Sequence, residues 1–368
     1  MSALRSLGRQ LKRNAQPEHS PIGLEFGADG LHMVQLGWDA NGKPVFRAQV
    51  ALPYVLERQA TLDSPAAAKK LIKRALAKAP FKGRNVVTAL ATDDTRLLSI
   101  TYQTRPGESD DAAIAKLMAE RIDDDLNQFV IDYIPVRAEA RDGDRLALVV
   151  ISERSNVIKH LDVLRNAGLK VDALEIVPVA IRRMVSTVIA DDEDVLVINV
   201  GEDATHLVVV SGRRLLFEQH VDFGVTQVTA AVTQALDLPQ TLALDLVTRR
   251  GLSSAEPTGG EGLAETGRFN TVLEIVRPQF QVLVNEIRRA LLFTTSETRG
   301  GKIHKAFLLG SIAAWPGATD LLAELTSLNV SIPPPLAVGK GVTLDGSELS
   351  IGCFIATGLA LRGWQTDA

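Results

Sequence analysis

The chain has 368 residues, of which 46% are hydrophobic and 23% charged. That length predicts about two domains, each large enough to bury its own hydrophobic core. The net charge of −4 gives no electrostatic basis for binding nucleic acid. The single cysteine, Cys353, excludes an internal disulfide framework and a cysteine-based zinc cluster. No apolar run reaches the ~18 residues that a membrane-spanning helix needs.

Residues 1–20 are predicted to form a basic tail, in which Arg5, Arg9 and Lys12 accompany leucines at helical spacing. The tail lacks the apolar segment and cleavage site of a signal peptide, so we expect the protein to stay in the cytoplasm. A short basic amphipathic helix can lie on an anionic membrane surface. The alternative is a solvated tail ahead of the first strand, and the sequence leaves both open.

A strand–turn–strand pattern occurs twice in the chain. The first copy has predicted strands at 22–27 and 31–36, and the second has them at 195–201 and 205–210. Each copy continues into a third strand. Both share one spacing of polar and glycine residues, namely Glu25, Gly27, Asp29 and His32 in the first and Asn199, Gly201, Asp203 and His206 in the second. A repeat with identical spacing predicts two similar lobes.

Paired hairpins of this kind are suited to binding phosphate. Glycine lets the backbone approach an anion closely, and successive N–H groups in a turn form a concave anion site. Two such turns that face each other can hold the phosphates of a nucleotide. The predicted nucleotide-binding residues are Gly27, Ala28, Asp29 and His32 in the first turn and Asn199, Gly201, Glu202, Asp203 and Thr205 in the second. The alternative is that both hairpins are structural only.

The remaining patterns predict an α/β chain with a unit inserted in its first lobe. The first lobe is expected at 21–190, with the insertion at about 105–169. The second lobe is expected at 191–335, and residues 336–368 return to the first lobe. Residues 251–266 are rich in Gly, Ser, Glu and Ala, which is typical of a flexible loop.

A predicted strand at 305–309 ends in Gly310 and Ser311, where a base or ribose could approach the backbone. These two residues complete the predicted nucleotide site. Near the end of the chain, Phe354 to Ala360 reads as a helix of small residues suited to close packing.

These segments, in this order, resemble the PilM family of type IV pilus assembly proteins, relatives of FtsA in the actin/Hsp70 superfamily. The resemblance covers roughly residues 21–363: the two hairpins correspond to the family's phosphate motifs, and 308–311 to its adenosine motif. Residues 174–180 resemble a connecting segment, and 358–363 the C-terminal segment. The resemblance implies a two-lobed actin-like (ribonuclease H-like) fold with an inserted FtsA/PilM-type 1C subdomain.

The chain departs from that family at its phosphate motifs. Relatives usually carry Asp and Lys where this chain has Glu25 and His32, and often Asp in place of Asn199. The Asp would hold Mg²⁺ or its waters, so Glu25 is the weak metal candidate. A histidine is mostly neutral at pH 7 and would meet phosphate less well than lysine. Ser311 is also bulkier than the glycine expected there. We therefore expect no efficient ATP hydrolysis, while ATP and Mg²⁺ binding stays open.

The resemblance implies a cytoplasmic scaffold, peripheral to the inner membrane, that binds the short N-terminal peptide of the membrane protein PilN. The family's peptide groove lies between the first lobe and the insertion, which here is roughly 85–168. Strands 86–91 and 97–102 are candidates for edge pairing, and the alternative is that both are ordinary paired strands. Contact residues cannot be assigned from the sequence. Other pilus or secretion components are further implied partners, and a homodimer stays open.

Three alternatives share the fold. One is a GspL-like cytoplasmic component of type II secretion, although such proteins continue into a transmembrane helix. Another is a sugar- or acetate-kinase-like phosphotransferase, which needs an aspartate base and intact phosphate motifs. Glu175 is the acidic residue placed near a γ-phosphate, but an isolated Glu at the end of a strand also reads as structural. The third is an FtsA-like filament former.

Overall fold

The computed structural model describes residues 18–122, 125–137, 143–252, 271–295, 301–339 and 351–364. Thirteen strands are found within these ranges: β1 Ile22–Phe26, β2 Gly30–Trp38, β3 Pro44–Pro53, β4 Asn85–Leu90, β5 Arg96–Tyr102, β6 Phe129–Arg137, β7 Arg145–Glu153, β8 Lys170–Ile176, β9 Asp194–Val200, β10 Thr205–Ser211, β11 Arg214–Val221, β12 Lys305–Gly310 and β13 Asn329–Ser331.

Ten α-helices with bounds inside the same ranges lie between and after these strands, and residues 271–276 are helical as well. They are α1 Arg58–Asp63, α2 Pro65–Lys78, α3 Asp110–Arg121, α4 Arg154–Asn166, α5 Val177–Val185, α6 Val225–Leu236, α7 Gln240–Arg250, α8 Phe280–Thr294, α9 Ala318–Thr326 and α10 Phe354–Ala360. None of the helices in the described ranges is long and apolar enough to cross a membrane. The predicted tail up to residue 17 and most of the predicted loop at 251–266 lie outside the described residues.

Two five-stranded sheets repeat one topology, which confirms the two-lobed fold. The first has the strand order β3-β2-β1-β4-β8 and the second β11-β10-β9-β12-β13. In both, an antiparallel three-strand meander is extended by parallel strands. The central strands are apolar along their length, and β9 is buried from Val195 to Ile198. Near-continuous apolar strands are expected where a sheet is covered on both faces.

The inserted unit has a sheet of its own, with the order β5-β7-β6. α3 packs on it through Ile114 and Met118. The sheet begins with β5 at Arg96, ahead of the predicted boundary at 105. α4 instead packs against the first lobe through Val163 and Leu164, although it falls inside the predicted insertion of 105–169. Helical periodicity could not indicate which of two neighbouring sheets an amphipathic helix covers.

Two helices connect the lobes, and they pack unusually closely. α5 leads from β8 of the first sheet to β9 of the second, and α10 packs on α5 and β1. A Cβ atom added at Gly358 in α10 would lie 2.0 Å from the carbonyl oxygen of Ala180 in α5. One added at Gly23 in β1 would lie 1.8 Å from the carbonyl oxygen of Ala356. Both positions therefore require glycine, because any side chain would collide with backbone. For Gly358, this agrees with the close packing predicted from the small residues at 354–360.

We expect Gly358→Ala to lower the free energy of unfolding by about 2 kcal/mol, because the added methyl group must displace backbone. Gly37→Ala is the matched control, since the atoms nearest to its Cβ would belong to the side chain of Arg47 and not to backbone. Urea unfolding of both variants measures the difference. Equal stability of the two variants would show that α5 and α10 can separate without cost.

Candidate functional site

The first hairpin carries a buried histidine between two carboxylates. Glu25 on β1 lies opposite His32 on β2, as the sheet register requires. His32 Nδ1 is 3.5 Å from Glu25 Oε2, and His32 Nε2 is 3.3 Å from Asp29 Oδ1. The His32 side chain is 4% exposed. The 3.5 Å contact is too long for good hydrogen-bond geometry, so the pairing with Glu25 is electrostatic.

These contacts make His32 a cation in the folded protein. Burial alone would lower the pKa of His32, but Asp29 and Glu25 outweigh it and raise this pKa to about 10. The interaction with His32 in turn lowers the pKa of Asp29. The expectation of a neutral imidazole at pH 7 is thus wrong here, because neighbouring charges and not the ordinary pKa decide the state of the ring. Its charge is compensated inside the hairpin.

The turn after β1 is anchored by side chains that the sequence patterns did not indicate. Tyr54 donates a hydrogen bond from its hydroxyl to the Gly27 carbonyl at 2.8 Å, and Arg58 Nε donates to the Phe26 carbonyl at 3.1 Å. A Cβ added at Gly27 would lie 2.9 Å from Cε1 of His32. The glycine is therefore needed to admit the imidazole, while Ala28 remains exposed at the tip of the turn.

In the second hairpin the polar groups are engaged within the protein. Asn199 lies opposite His206, which pairs with Glu218 at 2.9 Å. The hydroxyl of Thr205 donates to the Phe223 carbonyl at 2.7 Å. The amide of Gly201 donates to the Ala204 carbonyl at 2.8 Å.

The first turn of α6 closes the same hairpin. The amides of Val225 and Thr226 donate to the carbonyls of Gly201 and Glu202 at 3.1 and 2.8 Å. Helix N-terminal amides are the groups that commonly bind anions, and these two are already paired. Hydrogen bonds within the protein therefore also account for the residue spacing that predicts a phosphate loop.

The turn tips are acidic. Glu202 and Asp203 are exposed, and burial, Asp203 and Glu57 together raise the pKa of Glu202. Glu57 immediately precedes α1 of the first lobe, so carboxylates of the two lobes lie near each other. This charge opposes the approach of a polyphosphate.

Gly310 is the last residue of β12, and Ser311 follows it. Gly310 has a φ of 80°, and a Cβ there would lie 2.0 Å from the Val200 carbonyl oxygen. The close approach of β9 thus accounts for this glycine without a nucleotide. Ser311 is exposed and opens a short 3₁₀ turn.

The residues brought together at the hairpins fit Mg-ATP poorly. His32, the buried cation of the first hairpin, already faces Glu25 and Asp29, and the exposed side chains of the second turn are anionic. Among the described residues, no group of three or more His, Cys, Asp or Glu side chains is arranged to hold a metal ion. A phosphate group would gain no uncompensated cation from the residues predicted to bind it, and a metal ion would compete with His32 for the carboxylates.

Glu175 is held by two arginines. Its buried carboxylate accepts hydrogen bonds from Arg183 Nη1 at 3.0 Å and Arg183 Nη2 at 2.9 Å, and it also pairs with Arg362. Arg183 Nη1 donates further to the Gly358 carbonyl at 2.8 Å. This geometry fits the structural alternative for Glu175, because a carboxylate held by a bidentate guanidinium is not free to act as a base.

This pair lies at a groove of about 420 Å³ between the first sheet and the inserted sheet. We call it the groove. Its apolar lining consists of Leu90, Val130, Ile134, Pro135, Val150, Val157, Leu174, Ile176 and Val179. Its polar lining consists of Asp132, Tyr133, Ser152, Glu175, Arg182, Arg183 and Arg362. Its lining therefore combines apolar side chains with a substantial set of polar and charged ones.

Edge strands border the groove on both sides. In the described part of the chain, β6 pairs with β7 alone and β8 with β4 alone. Strand 86–91 was a candidate for edge pairing, but β4 lies between β1 and β8 and is wrong for that role. The other candidate, β5, is an edge strand but belongs to the opposite edge of the inserted sheet from β6. Strand order depends on distant pairings, so no local pattern could distinguish these strands.

Two backbone positions of β6 have no free amide donor. The Tyr133 amide donates to the Asp132 carboxylate at 2.8 Å. Pro135 has no amide hydrogen and is tolerated because β6 is an edge strand.

Between pH 6.5 and pH 9, we expect the free energy of unfolding of the wild-type protein to fall more steeply than that of the His32→Gln variant. The pKa of His32 is higher folded than unfolded, so its stabilisation is complete below about pH 6.5 and is lost as the pH rises towards 10. Urea unfolding across this range measures the slopes. Replacement of the exposed His304 by Gln should leave the wild-type slope unchanged. Parallel slopes for wild type and His32→Gln would contradict the charge assigned to His32.

Comparison with known proteins gives one family. The family described as "Type IV pilus assembly protein PilM" matches residues 23–364. A solved "PilM-PilN type IV pilus biogenesis complex" is similar with a TM-score of 0.73 and 24% identity, over 94% of this chain and 99% of that chain. The ethanolamine utilization protein EutJ from Carboxydothermus hydrogenoformans is similar with a TM-score of 0.50 and 14% identity, over 95% of this chain and 91% of that chain. Among curated protein sequences, none matches. The family match covers most of the chain, and the chain belongs to the PilM family of type IV pilus assembly proteins.

Proposed function

We propose that this protein is a scaffold of a type IV pilus assembly platform at the inner membrane, where it binds the cytoplasmic N-terminal segment of a PilN-like protein. The observation that carries the proposal is the apolar groove between β6 and β8. The similar PilM–PilN complex supports the choice of partner. On this proposal, contact with the membrane comes through the partner.

The groove suits an extended apolar peptide for two reasons. Edge strands on both sides offer backbone groups to an added strand, and the apolar lining offers pockets for alternate side chains. Each buried CH₂ group contributes roughly 0.8 kcal/mol, so the apolar lining favours a peptide with several large apolar side chains.

We expect a synthetic peptide of the N-terminal segment of the PilN-like protein from the same organism to bind the full chain. Val157→Asp should weaken this binding by more than about tenfold, because a carboxylate in an apolar groove loses solvation. Ile158→Asp is the matched control, since Ile158 follows on the same helix, is 51% exposed and does not line the groove. Fluorescence anisotropy gives the dissociation constants.

Circular dichroism establishes that both variants fold. If wild type does not bind the peptide, or if Val157→Asp and Ile158→Asp bind it equally, the groove is not the site and the proposal fails.

We infer further that the nucleotide site is degenerate and supports no efficient ATP hydrolysis. Supporting this are the compensated charge of His32, the internal hydrogen bonds of the second hairpin and the acidic turn tips. The alternative of a kinase-like phosphotransferase finds no support at Glu175, which two arginines hold.

We expect no ATP turnover above background and weak or unmeasurable Mg-ATP binding by calorimetry. The double variant Glu25→Asp/His32→Lys should bind Mg-ATP at least about tenfold more tightly, because lysine meets phosphate as a point charge and aspartate is the usual metal carboxylate. Turnover by the wild-type chain well above background would contradict the inference.

A further inference from the structure

Three arginines line the groove, namely Arg182, Arg183 and Arg362. Arg183 and Arg362 both contact Glu175, and we call these three side chains the charged end of the groove. Arg182 instead donates to the Arg213 carbonyl at 2.9 Å, outside the groove. Two guanidinium groups stand against one carboxylate at the charged end, so this end of the groove has a net positive charge. Asp132 also lines the groove and belongs to β6 of the inserted sheet.

Arg183 is buried and hydrogen-bonded within the protein. Its side chain is 6% exposed and forms both hydrogen bonds of the fork with Glu175, plus one to the Gly358 carbonyl. The pair is thus electrically neutral and geometrically fixed. A ligand gains little from a guanidinium that is already buried and paired in this way.

Arg362 is more exposed than Arg183. Its side chain is 45% exposed, while the Glu175 carboxylate with which it pairs is 5% exposed. Because Arg183 already neutralises the charge of Glu175, the positive charge of Arg362 is in excess at this end of the groove. A guanidinium has five N–H donors in a fixed plane, so one ion pair leaves it able to donate to a further acceptor.

The position of Arg362 is fixed from two directions. Glu175 holds its guanidinium, and the backbone beyond it is held by Trp364, which stacks on Trp38 with ring centroids 6.3 Å apart. Trp364 Nε1 also donates to the Gly42 carbonyl at 3.3 Å. A long cationic side chain loses conformational entropy on binding, and prior fixation reduces that loss.

We propose that Arg362 is the polar anchor of the groove: it donates hydrogen bonds to an acceptor oxygen of the bound peptide, and Glu175 is the residue that positions it. The proposal rests on the proposed function, because it concerns the same groove. It adds a specificity rule, namely that an otherwise apolar peptide is favoured when it presents a carboxylate, amide or main-chain oxygen at this end and disfavoured when it presents a lysine or arginine there.

The test measures binding of the same PilN-like peptide to wild type, Arg362→Gln and Arg362→Lys. Loss of a charge-assisted hydrogen bond should weaken binding about tenfold in Arg362→Gln, and Arg362→Lys should be intermediate because it keeps the charge without the fork. Arg277→Gln is the control, since Arg277 pairs with Glu324 at a similar exposure in the second lobe. Glu175→Gln should weaken binding too, but it also removes a buried charge, so the Arg362 variants decide.

Thermal unfolding of each variant separates anchoring from stability, since Arg362→Gln should bind weakly while keeping its melting temperature. Single alanine substitutions of acidic and amide residues in the peptide identify the acceptor. If one of them removes the difference between wild type and Arg362→Gln, the acceptor is a side chain; if none does, it is a main-chain carbonyl. Wild-type affinity in Arg362→Gln overturns the anchor and leaves the groove intact, whereas a wild-type chain that binds no peptide overturns both proposals.

Discussion

The buried ion pair between Glu175 and Arg183 is the interaction on which the first lobe and its groove depend. Glu175 belongs to β8, Arg183 to α5, and Arg183 also reaches the backbone of α10. One guanidinium thus joins an edge strand to both helices that connect the lobes. Removal of one partner from such a pair commonly costs about 3–5 kcal/mol, because the other charge stays buried and uncompensated. The wall of the groove and the lobe connection therefore keep one relative arrangement.

The two hairpins show how a duplicated element can diverge chemically while its geometry persists. Each copy holds a buried histidine at the same register position, His32 against Glu25 and His206 against Asn199. In the first copy the histidine meets carboxylates of its own hairpin. In the second copy, Asn199 carries no negative charge, and the carboxylate beside His206 is that of Glu218 on the next strand. Each histidine thus has an acidic neighbour, although the source of the charge has moved.

Most of the fold could be predicted from the sequence, and the side chains that line the groove could not. Alternating apolar residues and the glycine turns at Gly27 and Gly201 report on local geometry, so the hairpins and most helices were predictable. The charge of His32 depends on which carboxylates surround it in space, which its spacing does not reveal. The contact of Glu175 with Arg362 joins residues nearly two hundred positions apart. Strand order likewise depends on distant pairing, which is why the sequence could not decide whether β4 is an edge strand or a paired one.

The edge of β6 has a consequence for the behaviour of the protein at high concentration. An open edge strand beside an apolar surface invites pairing between identical chains, and continued pairing leads to aggregation. Pro135 lacks the amide hydrogen that such pairing needs, and Asp132 occupies the amide of Tyr133. Two successive obstacles along one short strand leave room for a brief contact and hinder a long one. These two positions therefore hinder extended pairing of β6 with a second copy of the chain.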